Sequence, residues 1–118
     1  MKLYIESTQS FGTHTDSIKE EHECKMCYLN DGFEISYDEG TIKLVNNILS
    51  VKRDYLEMHI EVDKINVSKF RTPYGDVDVS VKGEKIEFAN SPFMLYARYK
   101  LNLKASGEYT NELKLSIR

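Results

Sequence analysis

Four groups of residues have chemistry to offer. The first is Arg53-Asp54-Tyr55. Leu49, Val51 and Arg53 alternate with Ser50 and Lys52, so the three share one face of a strand. With Leu49 and Val51 turned to a core, Arg53 is phased inward at the strand's end, before an Asp54-Tyr55 turn. An unpaired inward guanidinium is costly, so it requires an acid such as Glu20, carbonyl groups or an anionic ligand. Tyr55 adds a hydroxyl two residues on. The second group is the histidines. His14 falls in a loop and His59 on a polar face, whereas His22 shares its phase with Ile18, Cys24, Met26 and Tyr28 and is expected to point inward. The third is the tyrosines, eight in the chain. Tyr28, Tyr37, Tyr99 and Tyr109 fall on apolar faces, where their hydroxyls need partners. That makes either a polar-lined pocket or a core with internal hydrogen bonds. The fourth is Cys24-Lys25-Met26-Cys27.

The cysteine pair has no second pair to complete a zinc site. It also lacks the βαβ context of a redox motif. In a strand, a spacing of three puts the two sulfurs on opposite faces. A lone inward histidine can hold haem, but a hydrogen-bonded core residue is the ordinary case. No metal and no cofactor is therefore expected. G-x-S-x-G, P-loop, G-x-G-x-x-G and H-E-x-x-H are all missing. Carboxylates alternate with apolar residues as on a solvated face, and no acid–base couple stands out.

The elements that must position these residues show in a period of two. Val77, Val79 and Val81 alternate with Asp76, Asp78, Ser80 and Lys82. Leu56, Met58, Ile60 and Val62 alternate with Glu57, His59, Glu61 and Asp63. Phe33, Ile35 and Tyr37 form a third run, Leu95 to Lys104 a fourth and Leu113 to Ile117 a fifth. Residues 17–29 and 56–63 also carry capping-box spacings, Ser17 with Glu20 and Asp54 with Glu57, but they alternate better than they keep a helical stripe. Turns are expected at Asn30-Asp31-Gly32, Asp38-Glu39-Gly40, Asn46-Asn47, Lys82-Gly83-Glu84, Ser91-Pro92 and Ser106-Gly107. One apolar face per strand gives a single layer of core, and closing the sheet removes its edges. The expected fold is all-β: one domain over residues 1–118, a closed antiparallel up-and-down barrel of about eight strands in the calycin or lipocalin style.

At 118 residues, 41% hydrophobic and 30% charged, the chain has the composition of one soluble globular domain. No apolar run reaches the ~20 residues of a membrane helix. The sequence Met1-Lys2-Leu3-Tyr4-Ile5-Glu6 has no signal-like apolar stretch, so a cytoplasmic location is expected and no membrane partner. Residues 1–63 carry 13 acids against 6 bases and residues 64–118 carry 6 against 10. The bases are spread along strands rather than clustered, so nucleic acid is not expected as a partner.

Several stretches carry a family resemblance. Phe70-Arg71-Thr72-Pro73-Tyr74-Gly75-Asp76-Val77 leads. Tyr99-Lys100-Leu101, Ser106 and Asn111-Glu112-Leu113-Lys114-Leu115-Ser116-Ile117 follow it, and Ile35-Ser36-Tyr37-Asp38-Glu39 and Val51-Lys52-Arg53 precede it. In this order they resemble the YwiB-like family, a bacterial family of uncharacterised function, with Phe70 where that family often has tyrosine. The resemblance implies a calycin-type barrel and no substrate, cofactor or catalytic residue. Arg53-x-Tyr55 also resembles the carboxylate clamp of fatty-acid-binding barrels, at a different place in the chain.

The expected function is binding of a small, partly apolar or anionic ligand inside the barrel. The expected ligand-binding residues are Arg53, Tyr55, His22, Tyr28, Tyr37 and Tyr99. The alternative is a non-enzymatic module that meets another protein through its outer surface. An enzyme ranks third, with no residue to nominate. A filled interior favours the surface role and an open one favours the ligand.

Overall fold

The computed structural model describes residues 1–103 and 107–118. Ten strands follow one another: β1 Lys2–Phe11, β2 His14–Leu29, β3 Gly32–Tyr37, β4 Gly40–Val45, β5 Ile48–Arg53, β6 Leu56–Glu61, β7 Ile65–Thr72, β8 Gly75–Asn90, β9 Phe93–Leu103 and β10 Gly107–Ile117. Each pairs antiparallel with the next, and β10 returns to β1, closing the barrel. The barrel is up-and-down as the alternation implies, but the described residues form ten strands, not about eight. The extra strands are ones with faint patterns. β4 turns only Ile42 and Leu44 fully into the core, and β7 inverts the usual polarity. In β7, Ser68 is buried while Ile65 and Val67 are exposed.

Two long strands act as corners. β2 and β8 each run for 16 residues. The first part of β2, to Glu23, pairs with β1, and the rest pairs with β3. β8 pairs with β7 up to Lys82 and with β9 from Ser80 onward. The barrel therefore behaves as two sheets sharing their corner strands. One holds β1, β10 and β9, the other β3 to β7.

Lys82-Gly83-Glu84 is not a turn. β8 passes through it with a register shift between Gly83 and Lys85. This bulge moves the inward set from Val79 and Val81 to Ile86. A side chain at Gly83 would place its Cβ 2.5 Å from the Glu61 carbonyl oxygen, so glycine is required by close approach of the β6 end. Asn46 and Asn47 take positive φ of 52° and 65°, forming the expected tight hairpin. Gly107 has positive φ, while Ser106 of that expected turn and Lys104 of the fourth alternating run lie outside the described residues.

The core is largely apolar, with Ser68 and Asn111 as its buried polar members. Leu3, Ile5, Ile35, Leu49, Ile60 and Val81 are among its buried members. Phe33 packs edge-on against Phe93 and Phe88 at 4.9 and 5.6 Å between ring centroids. That aromatic group lies toward the end carrying the 30–31, 46–47 and 91–92 turns. The opposite end, with the turns at 38–39 and 54–55, is polar. Among the described residues, no helix is long and apolar enough to cross a membrane.

Candidate functional site

The polar end gathers one guanidinium, one imidazole and three carboxylates. Arg53 ends β5, inward as its phase requires, with its side chain 12% exposed. It reaches from one sheet to the other and meets Glu20 on β2. Its Nη2 donates to Glu20 Oε2 at 3.0 Å and its Nη1 to Oε1 at 3.1 Å, a bidentate pair. Nη1 also lies 3.4 Å from Glu39 Oε2 and 3.5 Å from the Tyr55 hydroxyl. The guanidinium carbon stands 5.6 Å from the Tyr37 ring centroid. Glu39 is within reach because Gly40, at the start of β4, is paired directly with Arg53.

His22 is held from both sides, with its side chain 9% exposed. Nε2 is 3.0 Å from Glu20 Oε1 and 4.0 Å from Glu39 Oε2, while Nδ1 is 2.8 Å from Asp38 Oδ1. Its ring is 4.9 Å from that of Tyr37. Tyr37 thus lies against both the guanidinium and the imidazole, and its buried hydroxyl has no hydrogen-bond partner among the described residues.

The electrostatics follow from partial burial opposed by partners. Burial pushes the Glu20 carboxyl up, but Arg53 and His22 outweigh it and hold the group below its usual range. Burial pushes the His22 imidazole down, but Glu20 and Asp38 outweigh it and hold the group above its usual range. Burial raises the Tyr37 phenol against the nearby Arg53 charge. Burial pushes Tyr99 up to about 12, with the Arg53 charge acting the other way. Three carboxylates facing one guanidinium leave the mouth two net negative charges with His22 neutral, and one with it charged.

All but one of the sequence-derived site residues meet here. Arg53, Tyr55, His22 and Tyr37 are in contact, and the buried Tyr99 is close enough to feel Arg53. Tyr28 is not part of the site. It has the inward phase but is 62% exposed, because β2 there has only β3 beside it. Ile18, expected inward with it, is exposed for the mirrored reason: that part of β2 has only β1 beside it. Tyr109 packs on Phe11, 4.9 Å between centroids. Asp38 and Glu39 were legible only as turn residues. Cys24 and Cys27 are free thiols on opposite faces, the first half-buried with its thiol pushed up by burial and the second exposed.

Residues 3–117 match the model of a domain of unknown function, DUF1934. The chain belongs to this family. No curated protein matches it. Among solved structures, the DUF1934 chain is similar to the ywiB protein from Bacillus subtilis, with a TM-score of 0.77 and 10% identity over 98% of this chain and 89% of that one. At that identity the likeness speaks to the barrel fold. The resemblance to a YwiB-like family of uncharacterised function therefore holds.

A concavity of about 770 Å³ lies on the outer face of the sheet that includes β1, β10 and β9, and Glu20 is among its lining residues. Tyr4, Met94 and Tyr96 line it, with Glu6, Lys19 and Lys114 around them. A smaller hollow of about 400 Å³ lies by Asn46, Asn47, Val62 and Phe88.

Proposed function

We propose that the protein is a small-molecule-binding barrel whose ligand seats at the polar mouth. The observation that carries this reading is the buried Tyr37 hydroxyl without a hydrogen-bond partner, on a ring that lies against Arg53 and His22. A buried polar atom of this kind marks a place for a ligand atom or a water. Groups shifted by burial and charge collect at the same place, as at binding sites in barrel mouths. Tyr55, Asp38 and Glu39 open to solvent beside the cluster, so the ligand enters and sits near them.

The ligand's head is a hydrogen-bond donor or a cation. Both Nη groups of Arg53 are engaged by Glu20, so an acidic head would have to displace that carboxylate and enter a mouth already negative. Thermal stabilisation by a panel of aliphatic amines, neutral alcohols and fatty acids tests this. Amines should stabilise wild type, and Tyr37→Phe and Tyr55→Phe should weaken the effect. Stabilisation by none of the panel, or by fatty acids alone, counts against it.

The outer concavity supports a second reading, a self-associating module. On that face Glu6 pairs with Lys19 on one side and Lys114 on the other, an alternation of charge that a second copy would complement. Sedimentation equilibrium decides it: a dimer dissociated by Met94→Glu supports this reading, and a monomer removes it.

A further inference from the structure

Among the described residues, the seam between the two sheets is closed at the polar end by side chains. β2 pairs with β3 only from Cys24 onward, and its residues 14–23 pair with β1 alone. Past the Cys24–Tyr37 pair, ion pairs carry on where the backbone ladder stops. Glu20 of β2 meets Arg53, and His22 of β2 meets Asp38 in the β3–β4 turn.

The two pairs differ in what they need. Arg53 keeps its proton, so its bidentate contact with Glu20 does not depend on pH near neutrality. His22 stands between two carboxylates, with Nε2 3.0 Å from Glu20 Oε1 and Nδ1 2.8 Å from Asp38 Oδ1. A carboxylate only accepts, so meeting one at each nitrogen takes two N–H groups. The imidazolium has two. The neutral ring has one, and it turns a lone pair on the other carboxylate. Glu20 is the partner that the neutral ring keeps, because it is fixed by Arg53 and hydrogen-bonded to Nε2. Asp38 is 73% exposed, and among the described residues no ion pair but that with His22 holds it. The proton therefore leaves from Nδ1, and Asp38 turns out to water.

We propose that His22 is a proton-operated clasp on this seam: charged, it ties the β3–β4 turn to β2 through Asp38, and neutral, it releases the turn and loosens the polar end. The clasp works on the chain by itself. It goes beyond the ligand-binding reading and does not depend on it.

The titratable and charged groups around the ring come from four elements. They are Glu20 and Cys24 on β2, Tyr37 on β3, Asp38 and Glu39 in the turn, and Arg53 on β5. β1 presents Leu3, paired with His22, which has nothing to titrate. Against burial, Arg53 and His22 hold Glu20 below its usual range. Burial holds the Tyr37 phenol and the Cys24 thiol above theirs. His22 is the group with its charge change near neutral pH. Burial disfavours its charged form, but Glu20 and Asp38 outweigh burial, so the clasp stays closed to above the ordinary value of 6.5.

The test is an NMR titration of the full-length chain from pH 5 to 9. The His22 ring should titrate with a midpoint above 6.5, and the amides of Asp38, Glu39 and Gly40 should shift with that same midpoint. Asp38→Asn, at an exposed turn, should fold normally, lower the midpoint by ~0.3–0.7 pH unit and stop the turn amides from following it. At pH 6 the Gly40 amide should exchange with solvent ~2–5-fold faster in Asp38→Asn than in wild type, and at pH 8 the two should match. His22→Gln should match Asp38→Asn at pH 6. A ring midpoint at or below 6.5, turn amides that stay fixed while the ring titrates, or wild-type exchange at pH 6 as fast as in Asp38→Asn overturns the clasp.

Discussion

Removing Arg53 should destabilise the protein through the charge it leaves behind. Arg53→Met keeps the aliphatic stem and deletes the guanidinium. Glu20, 20% exposed, then loses its bidentate partner while its contact to His22 at 3.0 Å remains. Breaking a buried pair from one side costs ~3–5 kcal/mol. The residual exposure of Glu20 and its imidazole contact return part of this, so the expected loss is ~2–3 kcal/mol. Glu20→Met should cost less, because Arg53 keeps Glu39 at 3.4 Å. The double variant should recover ~1–2 kcal/mol relative to the sum, the coupling of groups in direct contact. Urea unfolding measures all three. With a slope of ~1–3 kcal/mol per molar, the single arginine change should lower the midpoint by about 1 M. A loss below ~0.5 kcal/mol, or strict additivity in the double variant, would refute the cross-sheet pair as described.

The remaining predictions concern the mouth, the bulge and the thiols. His22 titrates above its ordinary value of 6.5 in the folded chain, so its contribution is complete below that value and fades as pH rises through the raised one. Glu20 titrates below 4.5, so its contribution is present above that value and fades as pH falls through the lowered one. Melting temperature should therefore peak between about pH 4.5 and 6.5, and His22→Gln should flatten the alkaline side; a wild-type Tm that climbs from pH 6 to 8 contradicts this. Gly83→Ala should cost ~2–4 kcal/mol in urea unfolding, because its Cβ would meet the Glu61 carbonyl at 2.5 Å, and a cost near zero would mean that β6 does not press on the bulge. Cys24→Ala/Cys27→Ala should cost ~1 kcal/mol or less by the same measurement, and a larger loss would show a structural role for the thiols.

What was legible followed from the strand period. Alternation placed Leu49, Val51 and Arg53 on one wall and located the mouth, and it even supplied Glu20 as the acid. It failed where a neighbour strand, not the phase, decides burial. Tyr28 and Ile18 have the inward phase on β2 but sit where that corner strand has one neighbour. Gly83 reads as a turn residue from composition, since both a turn and a bulge favour glycine. Only the approach of Glu61 tells them apart. β7 hides because Ser68 faces in and Ile65 and Val67 face out. Asp38 and Glu39 were correctly placed in a turn, but their role needs the pairing of Gly40 with Arg53, a contact that no local pattern encodes.

Binding at the mouth is tested most directly by native mass spectrometry of the protein purified from its own source. The wild-type chain should carry a small retained mass that is lost from Tyr37→Phe protein prepared the same way. A bare chain in the wild type, or an adduct that persists unchanged in Tyr37→Phe, would contradict a ligand held by this cluster.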